Sequence, residues 1–233
     1  MLGPIDYLLW CLGFFLEASV VVCALYRKDF LKYLSLCIYM VCAASVNLGQ
    51  FICLEKYGFG STQYLYCYYY TESILTIAMF CVVIQLYQYV FVEMSASRYI
   101  RSAGALLLLV TAIVSYAVVR ENQNHLTSRF VVELGQNLHF SGVVLTYLLW
   151  GAVLKLRETR TRLIQLVLAL GVYFSATAGV YALRNLFPVL QPSLLRWVPP
   201  MVGVWLPLAW AYTLYYVPED ARLATARLMV RAR

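Results

Sequence analysis

The chain has 233 residues, 63% of them hydrophobic and only 12% charged, with a net charge of +7. Soluble domains of this size run to about 45–50% apolar and about 25% charged residues, so these few charges cannot cover this much apolar surface in water. The composition places the chain in the membrane class. It leaves no length for a separate soluble domain, and the positive balance reads as Lys/Arg bias in loops, with no nucleic-acid partner expected.

A spanning helix needs about 20 mostly apolar residues, and seven segments qualify. The first runs from Ile5 to Tyr26 and stops at Arg27, Lys28 and Asp29. It lacks a basic leader and is too long for a signal core, so it is expected to be retained. The second runs from Phe30 to Leu54, ended by Glu55 and Lys56, and a glycine-containing turn from Tyr57 to Gln63 follows. The third stays mostly apolar from Tyr64 to Met94, longer than one bilayer, and should tilt or project. The fourth is Ser102 to Val119, followed by a polar loop from Arg120 to Arg129. The fifth is Phe130 to Leu154 and the sixth Leu163 to Leu183, leading into a connection with Pro188 and Pro192. The seventh is Val198 to Val217, ended by Pro218, Glu219 and Asp220.

These alternations put thirteen of the eighteen Lys and Arg residues on one side and five on the other. The richer side belongs in the cytoplasm. The expected fold is an all-α integral membrane bundle of seven transmembrane helices (1–217), with its amino terminus outside and its carboxyl terminus cytoplasmic. A basic tail (218–233), alternating arginine with apolar residues, reads as an amphipathic helix on anionic lipid.

The seven cysteines all lie in the first three segments and form no CxxC pair, so they read as small apolar fillers. Cys53 and Cys67 fall near the outer ends of segments two and three, where a disulfide is conceivable. Polar residues inside spans carry more information, because burying them in lipid is costly. Glu17 lies about 18 Å deep, close to the midplane. Asn47 and Gln50 lie in the outer part of helix 2, and Glu72 about 12 Å into helix 3. Tyr68, Tyr69, Glu72 and Thr76 share one stripe of helix 3. On helix 5, Glu133, Gln136, Asn137 and Phe140 share a face, with His139 to its side. Arg184 sits at the outer end of helix 6 as a counter-ion for Glu72, with Asn47 the next choice of partner.

This pattern predicts an outward-opening, aromatic-walled cavity with acidic groups. The competing account is structural: polar groups bonding neighbouring helices and tyrosines forming an interfacial belt. No GxSxG, HExxH, Walker or dinucleotide motif is present, and two histidines make no multi-histidine metal cluster. No enzyme activity, cofactor or metal is expected.

The topology resembles that of microbial rhodopsins, but the seventh segment lacks the lysine a retinal Schiff base requires. It also resembles that of G-protein-coupled receptors and of SWEET-type sugar carriers, without a receptor triplet after helix 3 and without an internal repeat. Tyr66, Tyr70 and Glu72, followed by an apolar run to Phe91, resemble the third helix of an uncharacterised family of small bacterial seven-helix membrane proteins. That resemblance covers one helix and implies a bacterial inner (plasma) membrane setting but no activity. The functional expectation is a non-enzymatic, sensor-like or accessory subunit binding a small ligand or a partner membrane protein. The alternative is a transporter or channel for a small polar or cationic solute using Glu17 and Glu72. Expected partners are the lipid bilayer and either another membrane protein or a second copy.

The basic asymmetry predicts that a reporter active only in the cytoplasm will function when fused after Arg233. Activity there from a reporter that works only outside the membrane would show that the number of crossings is even.

Overall fold

A computed structural model describes residues 4–58, 60–91, 97–120, 126–156, 159–186, 193–219 and 221–222. Its helices are α1 Pro4–Tyr26, α2 Leu34–Tyr57, α3 Thr62–Val90, α4 Ser97–Arg120, α5 Leu126–Lys155, α6 Thr161–Leu186 and α7 Ser193–Tyr216. Five of them, α1, α2, α3, α5 and α6, are long and apolar enough to cross a membrane, and α4 contains a shorter apolar stretch, Ser102–Ala117. Large apolar side chains such as Leu8, Phe15, Val22, Leu148 and Leu168 point outward from these helices. A helical membrane protein presents such a surface to lipid tails. The basic tail beyond residue 222 lies outside the described residues.

Local chemistry sets the helix ends. Lys28, at φ 60°, takes the left-handed conformation after α1. Its N–H donates to the Leu25 carbonyl and the Asp29 N–H to the Ala24 carbonyl, the two bonds of a Schellman motif. These turns delay α2 to Leu34, four residues later than its apolar run begins. Ser61 caps α3, its hydroxyl accepting from the Tyr64 N–H at 3.1 Å. The third helix ends at Val90 with Phe91 as its C-cap, and Arg160 donates to the Tyr89 carbonyl; the apolar run on to Met94 lies outside the described residues.

The packing order is a closed ring. α1 packs on α2, α2 on α3, α3 on α5, α5 on α6, α6 on α7, and α7 returns to α1. α4 lies outside the ring against α5 and α3. Close approach of α5 and α6 depends on two glycines. A Cβ on Gly142 would overlap the Phe174 ring, and one on Gly171 would overlap Trp150 and crowd Thr146.

The core fills only one half of the ring. Trp210, Met79, Leu86, Leu149, Leu166 and Leu214 are almost completely buried there. Trp210 also donates from Nε1 to the Leu166 carbonyl at 3.3 Å, tying α7 to α6.

Replacing Gly171 with leucine should destabilise the bundle by about 1–3 kcal/mol through overpacking. Chemical unfolding in detergent measures this; an unchanged midpoint would mean that the α5–α6 interface is looser than described.

Candidate functional site

The filled half of the ring is locked at its end by charge. Arg162, at the start of α6, is 3% exposed and pairs with Asp29 at 2.5 Å. Its remaining donors reach the Val217 carbonyl at 2.9 Å and the Leu214 carbonyl at 3.4 Å. A cation at the carboxyl end of α7 meets carbonyls that have no helical donor. Arg27 donates to the neighbouring Tyr215 carbonyl, and Lys32 pairs with Glu219. Gln85 donates to the Lys32 carbonyl at 2.9 Å and accepts from the Ser35 N–H at 3.1 Å, joining α3 to the α1–α2 turn. This end is closed by side chains of the α1–α2 turn, α3 and α6, which meet backbone groups of α2 and the end of α7.

The opposite half of the ring contains a partly open cavity of about 420 Å³. All six ring helices line it and α4 does not. Glu17 of α1 and Glu72 of α3 supply its carboxylates, and no lysine or arginine lines it among the described residues. Glu17 is buried, and the Asn47 amide of α2 donates to both its oxygens, at 2.7 and 2.8 Å. Gln50, one turn further along α2, donates to the Thr71 hydroxyl at 2.9 Å and hydrogen-bonds the Glu72 carboxylate. Tyr39 of α2 and Tyr173 of α6 hydrogen-bond each other inside the cavity, within electrostatic range of both glutamates. The two acids therefore belong to one polar cluster.

The walls are aromatic. Trp10, Tyr68 and Tyr181 join the Tyr39–Tyr173 pair. His139 is buried against Tyr181, Phe174 and Tyr173, with ring centroids 5.4, 6.0 and 6.4 Å away. Its Nδ1 donates to the Gly135 carbonyl at 2.8 Å, which makes Nε2 the acceptor nitrogen of the neutral ring. Three prolines interrupt α7 where it faces the cavity: Pro199, Pro200 and Pro207. Pro207 has no N–H to give the Gly203 carbonyl, and Gly203 lines the cavity.

Of the residues singled out in the sequence, the structure brings together Glu17, Asn47, Tyr68, Glu72, Thr76 and His139 at this cavity. Tyr69 packs edge-on against Tyr68, with centroids 5.6 Å apart, and is not a lining residue. Asn137 turns the other way and donates to Ser115 of α4 at 3.0 Å; Glu133 is half-buried and also off the lining. The inward face of α5 is the one marked by His139, about a third of a turn from the face suggested by the polar residues. The Arg184 side chain lies outside the described residues, and Glu72 takes Gln50 as a partner. Cys53 and Cys67 adjoin as free thiols.

Sequence reasoning missed Trp10, Tyr39, Tyr173 and Tyr181, which resemble lipid-facing aromatics in helices apolar on every side. The intrahelical prolines were the available signal for α7, since a helix-breaking residue inside a span marks a wall backed by protein or a cavity. No ligand-metal cluster of three or more His, Cys, Asp or Glu residues occurs among the described residues. The chain matches no protein-family model, no curated protein and no solved structure.

The Asn47–Glu17 bonds join α1 to α2 inside the site. A double-mutant cycle of Asn47→Ala and Glu17→Gln, read by thermal unfolding in detergent, should give a coupling of about 1 kcal/mol or more. Strictly additive effects would mean that the amide and the carboxylate do not interact.

Proposed function

We propose that the protein is a seven-span membrane protein that binds a small ligand in this cavity from the outer side, as a sensor-like module or accessory subunit of a membrane complex. The proposed orientation puts the amino terminus outside and the carboxyl terminus in the cytoplasm. It is supported by the gathering of Arg27, Lys32, Arg160 and Arg162 at the closed end of the ring. The site favours binding over catalysis: it pairs carboxylates with amides and aromatic rings, but it offers no activated nucleophile and no metal cluster among the described residues.

One observation carries the reading. A cavity of about 420 Å³, walled by six helices, with aromatic surfaces and a few converging polar groups, has the size and lining of small-molecule sites. Transport of a polar solute past Glu17 and Glu72 is the second reading, favoured by the proline-interrupted wall of α7 opposite a closed end. Saturable uptake into proteoliposomes would distinguish transport from binding alone.

Gly13 lines the cavity, and a Cβ placed there meets no atom within 4 Å. Gly13→Phe should therefore project a ring into the site from an unobstructed Cβ, and the substitution also suits a helix better than glycine. We expect a folded, monodisperse variant that no longer carries the small molecule found by mass spectrometry on the wild-type protein purified from its native membrane. Equal retention by both forms would place the ligand elsewhere.

A further inference from the structure

We infer that the ligand of this cavity is an organic ammonium ion with an apolar, ring-sized body; this rests on the binding reading above and names its chemical class. Charge is the first argument. Two acids, Glu17 and Glu72, line a space that no lysine or arginine shares among the described residues. Each has an amide donor, from Asn47 and Gln50 respectively, and a carboxylate has room for several more hydrogen bonds. An amide satisfies hydrogen bonding but brings no counter-charge, so a cationic ligand would favour either acid in its ionised form.

Two further groups at the cavity are acceptors. His139 spends its N–H on Gly135, leaving Nε2 as an acceptor. The Gly203 carbonyl receives no helical bond from Pro207. A lining of carboxylates, an imidazole acceptor and a carbonyl suits a ligand that donates N–H bonds and carries positive charge.

The walls define the rest of the molecule. Trp10, Tyr39, Tyr68, Tyr173 and Tyr181 surround the acids, and aromatic faces attract cations while burying apolar surface. A bare metal ion would lack its usual ligand set, since no group of three or more His, Cys, Asp or Glu residues occurs among the described residues. An anion would meet two acids and no described base.

The test uses the full chain in lipid nanodiscs and three probes of one shape: 2-phenylethylamine, 2-phenylethanol and phenylacetate. Quenching of tryptophan fluorescence and the unfolding temperature report binding. The amine should bind saturably and raise the unfolding temperature. The alcohol should bind at least about tenfold more weakly, as loss of a charge-assisted bond implies, and phenylacetate should not bind. Glu17→Gln and Glu72→Gln, checked for monodispersity, should each weaken the amine at least about tenfold and leave the alcohol unchanged. The comparison of probes on the wild-type chain stands even if one variant fails to fold.

Failure of the amine to bind, or equal binding of amine and alcohol, overturns the ammonium assignment. If the alcohol binds and Gly13→Phe abolishes that binding, the cavity reading survives without it. If the amine binds wild type and Gly13→Phe alike, both readings fall.

Discussion

Arg162 is almost completely removed from solvent, and everything around it is arranged to make that tolerable. Asp29 supplies the opposite charge, and the carbonyls of Leu214 and Val217 take the other N–H groups. Asp29 reaches this position because Lys28 turns the chain through a left-handed conformation immediately after α1. One guanidinium thus fixes the α1–α2 turn, the start of α6 and the end of α7 against each other. A buried pair of this kind gains little net stability over well-packed apolar groups. Its effect here is to set register, holding the last turn of α7 beside the α1–α2 turn and the start of α6.

A ring of six helices leaves a hole at its centre that side chains must fill. In the locked half, large residues fill it, with Trp210, Met79 and Leu86 among those with almost no exposure. In the other half the inward positions include Gly13, Ala43, Thr76, Thr177 and Gly203, which are too small to meet across the ring. The cavity therefore follows from residue size as much as from polarity. The wide half-ring persists because the narrow half holds the helices in place, and the glycine contacts between α5 and α6 draw those two helices together on one side.

The all-α membrane character was legible from composition alone, and helix positions followed from the length of apolar runs and the charges that stop them. A boundary failed where capping chemistry overrode hydropathy: the Schellman turn after α1 delays α2. The acids and amides of the site were legible because each is expensive in lipid, so Glu17, Asn47 and Glu72 stood out. Their partners were not. Helices that are apolar all round carry little periodicity, so nothing distinguished Tyr39 and Tyr173 from lipid-facing tyrosines. On α5 the polar residues were divided between two faces. Asn137 turns to Ser115 of α4 and His139 faces the cavity, a division that depends on α4 lying outside the ring.

Packing glue is the competing account of the polar residues, and it explains part of them well. Asn47 on Glu17 joins α1 to α2, and Gln50 on Thr71 and Glu72 joins α2 to α3; both link neighbours around the ring, as interhelical hydrogen bonds in membranes do. Yet glue needs only neutral partners, and an amide paired with an amide would join the same helices without a buried charge. Nor does glue require empty space, because bonds between adjacent helices draw them together and leave the centre of the ring to apolar side chains. Two acids on different helices, no base beside them among the described residues, and an aromatic-walled space between them exceed what helix association demands. That excess is the part of the structure that a ligand explains.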